Sequence, residues 1–149
     1  VHIDNFSSIE EIAKEKVQIA NGIKDNGVFI YFGDDSLIRD TVNRAEINDS
    51  IRQQTFGTKE FNTLYLKSFS EDLSGITFTV NDEGLSELHA DMLGKHQALN
   101  SMSAILAAKE LGMTPEEIHL GLLKIDKTGL RNELIKINKC TMIAINLIL

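Results

Sequence analysis

SSIEEIAKEKVQIANGIKDNGVFIYFGDDS, residues 7–36, contains one helix, one strand and the turns that bound them. At 100° per residue, Ile9, Ile12, Ala13, Ile19, Ala20 and Ile23 fall on one side of a helix, and Glu10, Glu11, Lys14, Glu15 and Gln18 on the other. Ser7 and Ser8 each have a glutamate three residues on, as in a capping box. Lys24-Asp25-Asn26-Gly27 ends the helix. VFIYF, 28–32, is apolar on both faces, as an inner strand of a largely parallel sheet must be. Gly33-Asp34-Asp35-Ser36 follows, where α/β proteins place ligand groups and where an aspartate also caps the next helix. Lys16 falls near the middle of the apolar stripe, an unusual place for a cation.

Outward from this unit, LIRDTVNRA (37–45) is a weak helix. TLYLKSFS (63–70), GITFTVN (75–81) and LSELHADML (85–93) alternate like strands, with turn residues between them, and form a small antiparallel meander. GKHQALNSMSAILAAKELG (94–112) is a helix that is apolar or small almost all round and ends at Gly112. Thr114-Pro115-Glu116-Glu117 opens another helix, running to about Lys124. KTGLRNE (127–133) is a loop entering a strand, and 133–148 hold one or two further strands. The expectation is one mixed α/β domain over residues 1–149.

Composition narrows the function. The 149 residues carry 22 acidic and 15 Lys plus Arg residues, a net charge of −7, which disfavours general binding to a nucleic-acid backbone but not to a single nucleotide. Cys140 is the one cysteine, so no internal disulfide forms, and a reducing cytoplasm is the expected compartment. No apolar run approaches the ~20 residues of a membrane span. His89, His119 and Cys140 lack metal-ligand spacing and read as structural.

Three stretches, in order, resemble the Mur ligases. The first is His2 followed by Ser8-x-Glu10-x-Ile12-Ala13-x-x-Lys16. The second is LGKHQALNSMSAI at 93–105, with ELGMTPEEIHLGL at 110–122 behind it. The third is Thr128-Gly-x-Arg131-x-Glu133. The resemblance implies an α/β fold with a mostly parallel sheet, flanking helices and the meander. It also implies a reaction, in which ATP phosphorylates the terminal carboxylate of a UDP-muramoyl peptide and an amine then attacks the acyl phosphate. The implied amine is D-alanyl-D-alanine and the implied acceptor a UDP-muramoyl tripeptide. After His2 there is no H-x-D-Y-H pattern, which argues against the branch that adds diaminopimelate or lysine.

The resemblance also implies roles for single residues. Lys16 matches the lysine that carbon dioxide converts to a carbamate ligand near magnesium, and burial favours the neutral amine that this needs. His2 matches a magnesium-binding histidine. His96 and Asn100 match nucleotide-site residues, although Gln97 stands where the family has asparagine. Arg131 matches an arginine that reaches ATP phosphates, for which a planar guanidinium fork is suited.

No G-x-x-G-K-[ST] phosphate loop occurs in these residues. The chain therefore reads as the second half of a central ATPase domain, without the UDP-sugar domain, the phosphate loop or the C-terminal domain, and inactive alone. Ala144-Ile145-Asn146-Leu147 also departs from the acidic segment of the family. A non-catalytic remnant or accessory domain is the alternative. Open sheet edges predict self-association.

Overall fold

The computed structural model describes residues 8–125 and the backbone of 135–137 and 140–142. The first helix, α1 (Ile9–Gln18), starts where Ser8 Oγ accepts the Glu11 N–H at 3.2 Å, and a 3-10 turn, Ile19–Gly22, extends it. Strand β1 (Val28–Phe32) follows, and then α2 (Ser36–Arg44). Asp35 is the N-cap of α2, accepting the N–H groups of Leu37 at 2.8 Å and Ile38 at 3.2 Å. Next come β2 (Arg52–Gly57), β3 (Leu64–Asp72), β4 (Gly75–Val80), β5 (Leu88–Ala90), α3 (Lys95–Glu110) and α4 (Pro115–Leu123). The strand backbones β6 (Ile135–Ile137) and β7 (Cys140–Met142) form an antiparallel pair.

The five-stranded sheet has the order β1-β2-β3-β4-β5. β1, β2 and β3 are parallel, and β3, β4 and β5 are antiparallel. The α/β reading and the meander are both borne out. The meander is continuous with the parallel strands, because β3 belongs to both. Only Leu88–Ala90 of the third expected meander strand is paired.

Alternation along β1 explains its apolar sequence. Phe29 and Tyr31 pack with Ala13, Val17 and Ala20 of α1 and Ile38 and Val42 of α2. Ile30 joins the opposite core with Phe56, Leu64, Ile76, Phe78 and the α3 residues Met102, Ile105 and Leu106. Helices thus cover both faces, and the central residues Phe29, Ile30 and Tyr31 are buried.

Nothing in the sequence reading placed a strand between 46 and 62, yet β2 lies inside the sheet. Its first residues, Arg52-Gln53-Gln54-Thr55, are polar, and the fold supplies their partners. Arg52 and Gln54 donate to Glu110 at the end of α3, and the Tyr31 hydroxyl donates to Gln53 Oε1 at 3.4 Å. The junction between α3 and α4 follows its sequence signals. Gly112, at φ +78°, closes α3 with Gly112 N–H to Lys109 O and Met113 N–H to Ala108 O, a Schellman arrangement. Thr114 and Glu117 cap each other's backbone at the start of α4.

Candidate functional site

The C-terminal ends of β1 and β2 lie side by side, and polar groups gather there. Asp34, just past β1, reaches across to the loop after β2. Its carboxylate accepts Thr58 N–H at 2.7 Å, Thr58 Oγ–H at 2.6 Å, Asn62 Nδ2 at 2.8 Å and Lys59 N–H at 3.2 Å. Burial alone pushes this carboxyl up, but the hydrogen bonds from Thr58, Asn62 and Lys59 together outweigh it and hold Asp34 below the usual carboxylate range. Asn62 is 4% exposed, and its Nδ2 also donates to Lys59 O at 2.8 Å. Its Oδ1 is buried against Gly33 without a hydrogen-bond donor.

Lys16 reaches the same end from α1. The fully buried stripe of α1 is Ala13 and Val17, continued by Ala20, while Ile12, Lys16 and Ile19 line its half-buried flank. Ile9 is 59% exposed. Desolvation pushes the Lys16 ammonium below its ordinary value, and the Asp35 carboxylate acts against that. The sign of the pH effect follows. Between the lowered folded value and 10.5 the unfolded chain binds more protons, so the Lys16 contribution to stability rises with pH across that window. Below the window the buried charge is unfavourable. Lys16→Met is therefore expected to raise the melting temperature at neutral pH, with the gain shrinking as the pH approaches 10.5. Melting curves of both proteins across that range test this, and a gain that does not change with pH contradicts it.

The N-terminus of α3 lies across the sheet from α1. The α3 C-terminus holds the start of β2 through Glu110, so α3 runs antiparallel to β2 and its first turn lies toward the C-terminal end of the strand. Gly94, at φ +96°, turns the chain into α3, and its N–H donates to Glu71 Oε2 at 2.6 Å. His96 is exposed, with its imidazole folded over Gly94. Asn100 is half-buried; its Nδ2 donates to Gln97 Oε1 at 3.3 Å, and its Oδ1 is buried without a donor.

His96 and Asn100 are thus neighbours one turn apart, while Lys16 approaches from the other face of the sheet. His2 and Arg131 lie outside the described residues. Sequence reasoning missed Thr58 and Asn62. Their only sequence signal is proximity to the strand ends, and β2 itself was not legible.

Among the described residues, no cluster of three or more His, Cys, Asp or Glu side chains is placed to hold a metal ion, and no helix is long and apolar enough to cross a membrane. Comparison with known proteins supplies the lineage. The family model of the Mur ligase middle domain matches residues 1–108. The chain belongs to the Mur ligase family. A UDP-N-acetylmuramoyl-tripeptide–D-alanyl-D-alanine ligase of Bacillus subtilis is 36% identical over 136 residues, covering 91% of this chain and 28% of that one. A UDP-N-acetylmuramate–L-alanine ligase of Nitratidesulfovibrio vulgaris is 29% identical, with 89% and 28% covered.

Among solved structures of Mur ligases, a UDP-N-acetylmuramoyl-L-alanyl-D-glutamate–2,6-diaminopimelate ligase matches with a TM-score of 0.72 at 20% identity over 93% of this chain and 28% of that one. The D-alanyl-D-alanyl ligase of Acinetobacter baumannii matches at 0.65 and 20% identity over 89% and 29%. These structural likenesses establish the Mur ligase fold. The chain spans about 28% of the length of the curated relatives it matches.

Proposed function

We propose that the chain is the C-terminal part of the ATP-binding middle domain of a cytoplasmic ligase that adds D-alanyl-D-alanine to a UDP-muramoyl tripeptide through an acyl phosphate. The carrying observation is the 36% identity to the Bacillus subtilis enzyme of that name, against 28–31% to L-alanine ligases. In this reading His96 and Asn100 contact the nucleotide, Arg131 its phosphates, and Lys16, as a carbamate, a magnesium ion together with His2.

The residues present fit a nucleotide. Asn100 Oδ1 is a buried acceptor with no donor, and a base amine supplies one. Magnesium is different: the described residues do not make a site for it by themselves. Lys16 fits its role to the extent that burial lowers its affinity for a proton, which raises the share of neutral amine able to attack carbon dioxide and then lose a proton. Alone, the chain is expected to have no ligase activity. Self-association belongs to the same proposal, because the outer edge of β1 pairs with no strand among the described residues; sedimentation measures it.

A non-catalytic domain that retains the fold is the second reading. Gln97 favours it, because its amide oxygen takes up the Asn100 Nδ2 group that a ligand acceptor otherwise uses. Calorimetric titration with Mg-ATP separates the two. The ligase reading expects binding that weakens about tenfold in Asn100→Ala, the loss of one buried hydrogen bond, and that also weakens in Arg131→Ala. No heat at millimolar nucleotide supports the non-catalytic reading.

A further inference from the structure

The rim formed by the ends of β1 and β2 contains two carboxylates and two cations, and the two sets are satisfied differently. Asp34 is turned into the loop after β2 and accepts four hydrogen bonds. Asp35 is turned into the first turn of α2 and accepts two. The acids are therefore engaged within the fold. Two cations act on the same three residues, Gly33 to Asp35. Arg39 Nη1 donates to Gly33 O, and the charges of Lys16 and Asp35 act on each other.

Arg39 is the better placed of the two. Its guanidinium lies over the Phe61 ring, 4.8 Å from the centroid, and Phe61 is 61% exposed. The hydrogen bond to Gly33 and the stacked ring hold the planar group in one orientation at the rim. A guanidinium has five N–H donors, and the bond to Gly33 uses one. Such a fork matches the paired oxygens of a phosphoryl or carboxylate group. The loop bearing Phe61 is itself fixed by the Asp34 hydrogen bonds, so the arrangement exists before any ligand arrives.

We propose that Arg39 is an anion-contacting residue of this rim, taking a phosphoryl or carboxylate oxygen of the bound ligand. The proposal rests on the ligase reading, whose substrates carry both groups. It adds to that reading a residue on α2 that no motif marks.

Calorimetry at low salt with three probes tests it: inorganic tripolyphosphate, succinate and adenosine, the last having no anionic group. Circular dichroism and melting establish that each variant is folded. The expected result is that wild type binds tripolyphosphate or succinate, and the stronger of the two identifies the group. Arg39→Gln then weakens that anion about tenfold or more, as loss of a charge-assisted pair does, while adenosine binding is unchanged. Arg39→Lys recovers part of the loss, because charge returns without the fork. Anion binding in Arg39→Gln equal to wild type overturns the proposal. So does equal loss of anion and adenosine, which marks a purely structural role. Wild type that binds adenosine but neither anion overturns the proposal and leaves the ligase reading standing; binding of none of the three removes the support for both.

Discussion

Gly33→Ala is expected to destabilise the protein by about 3 kcal/mol, from overpacking plus broken hydrogen bonds, the largest effect of any single methyl group at the candidate site. A Cβ at position 33 lies 1.9 Å from Asn62 Oδ1 and 2.9 Å from Thr55 Cβ. Neither neighbour yields easily. Asn62 is 4% exposed and pinned by its bonds to Asp34 and Lys59, and Thr55 sits within β2 with its N–H bonded to Thr63 Oγ at 3.1 Å. Gly57→Ala meets the same obstruction from the other side, with its Cβ 2.2 Å from Asp34 Oδ1 and 2.6 Å from Asn62 Nδ2.

The two glycines let two strand ends close around one asparagine. Urea unfolding of each variant measures the effect, and a change within about 0.5 kcal/mol of wild type refutes this account. The double variant Gly33→Ala/Asn62→Ala sharpens the test. Truncating Asn62 removes the closer of the two clashes, so the combined loss should be smaller than the sum of the single losses.

Asp34→Asn should cost about 2–3 kcal/mol at neutral pH, since a charged acceptor of several hydrogen bonds is replaced by a group that is half donor. An amide nitrogen at position 34 faces Thr58 N–H or Asn62 Nδ2, donor against donor. The pH dependence follows from the lowered value of the native carboxyl. Its contribution is fully present above the ordinary 3.8 and is lost as pH falls through the lower folded value. The gap between wild type and Asp34→Asn is therefore wide at neutral pH and narrows in acid, below 3.8. Denaturant titrations at neutral and acidic pH measure it, and a gap that stays constant contradicts the role given to the charge.

Much of the architecture was legible because local chemistry and tertiary structure agree. Ser8, Asp35 and Thr114 cap the helices they precede, and Gly112 ends α3, as those residue types do in any context. VFIYF read as an inner strand because helices cover both of its faces, yet among the described residues β1 is the edge strand of the sheet and pairs with β2 alone: apolar faces report cover by helices, not strands on both edges. β2 was illegible for the converse reason. Its polar residues find partners on Glu110, 56 and 58 residues away, and no local pattern encodes such a pairing. Ile9 shows the limit of a helical wheel: it falls on the apolar side and is 59% exposed, because α1 buries only the narrow stripe that meets α2 and β1.

By itself the sequence determined the α/β class, the helix ends, the meander and the family. These are properties of periodicity, capping and motif spacing, which depend on residues close together in the chain. Only the tertiary structure decided that Asp34 ties two loops together while Asp35 caps a helix, although the two residues are adjacent and alike. It also decided that Asn62, Arg39 and Phe61 join them at the rim. The reason is that parallel strands bring their C-terminal ends together only after a long crossover, so residues 24 to 28 positions apart become neighbours through the closure of the sheet.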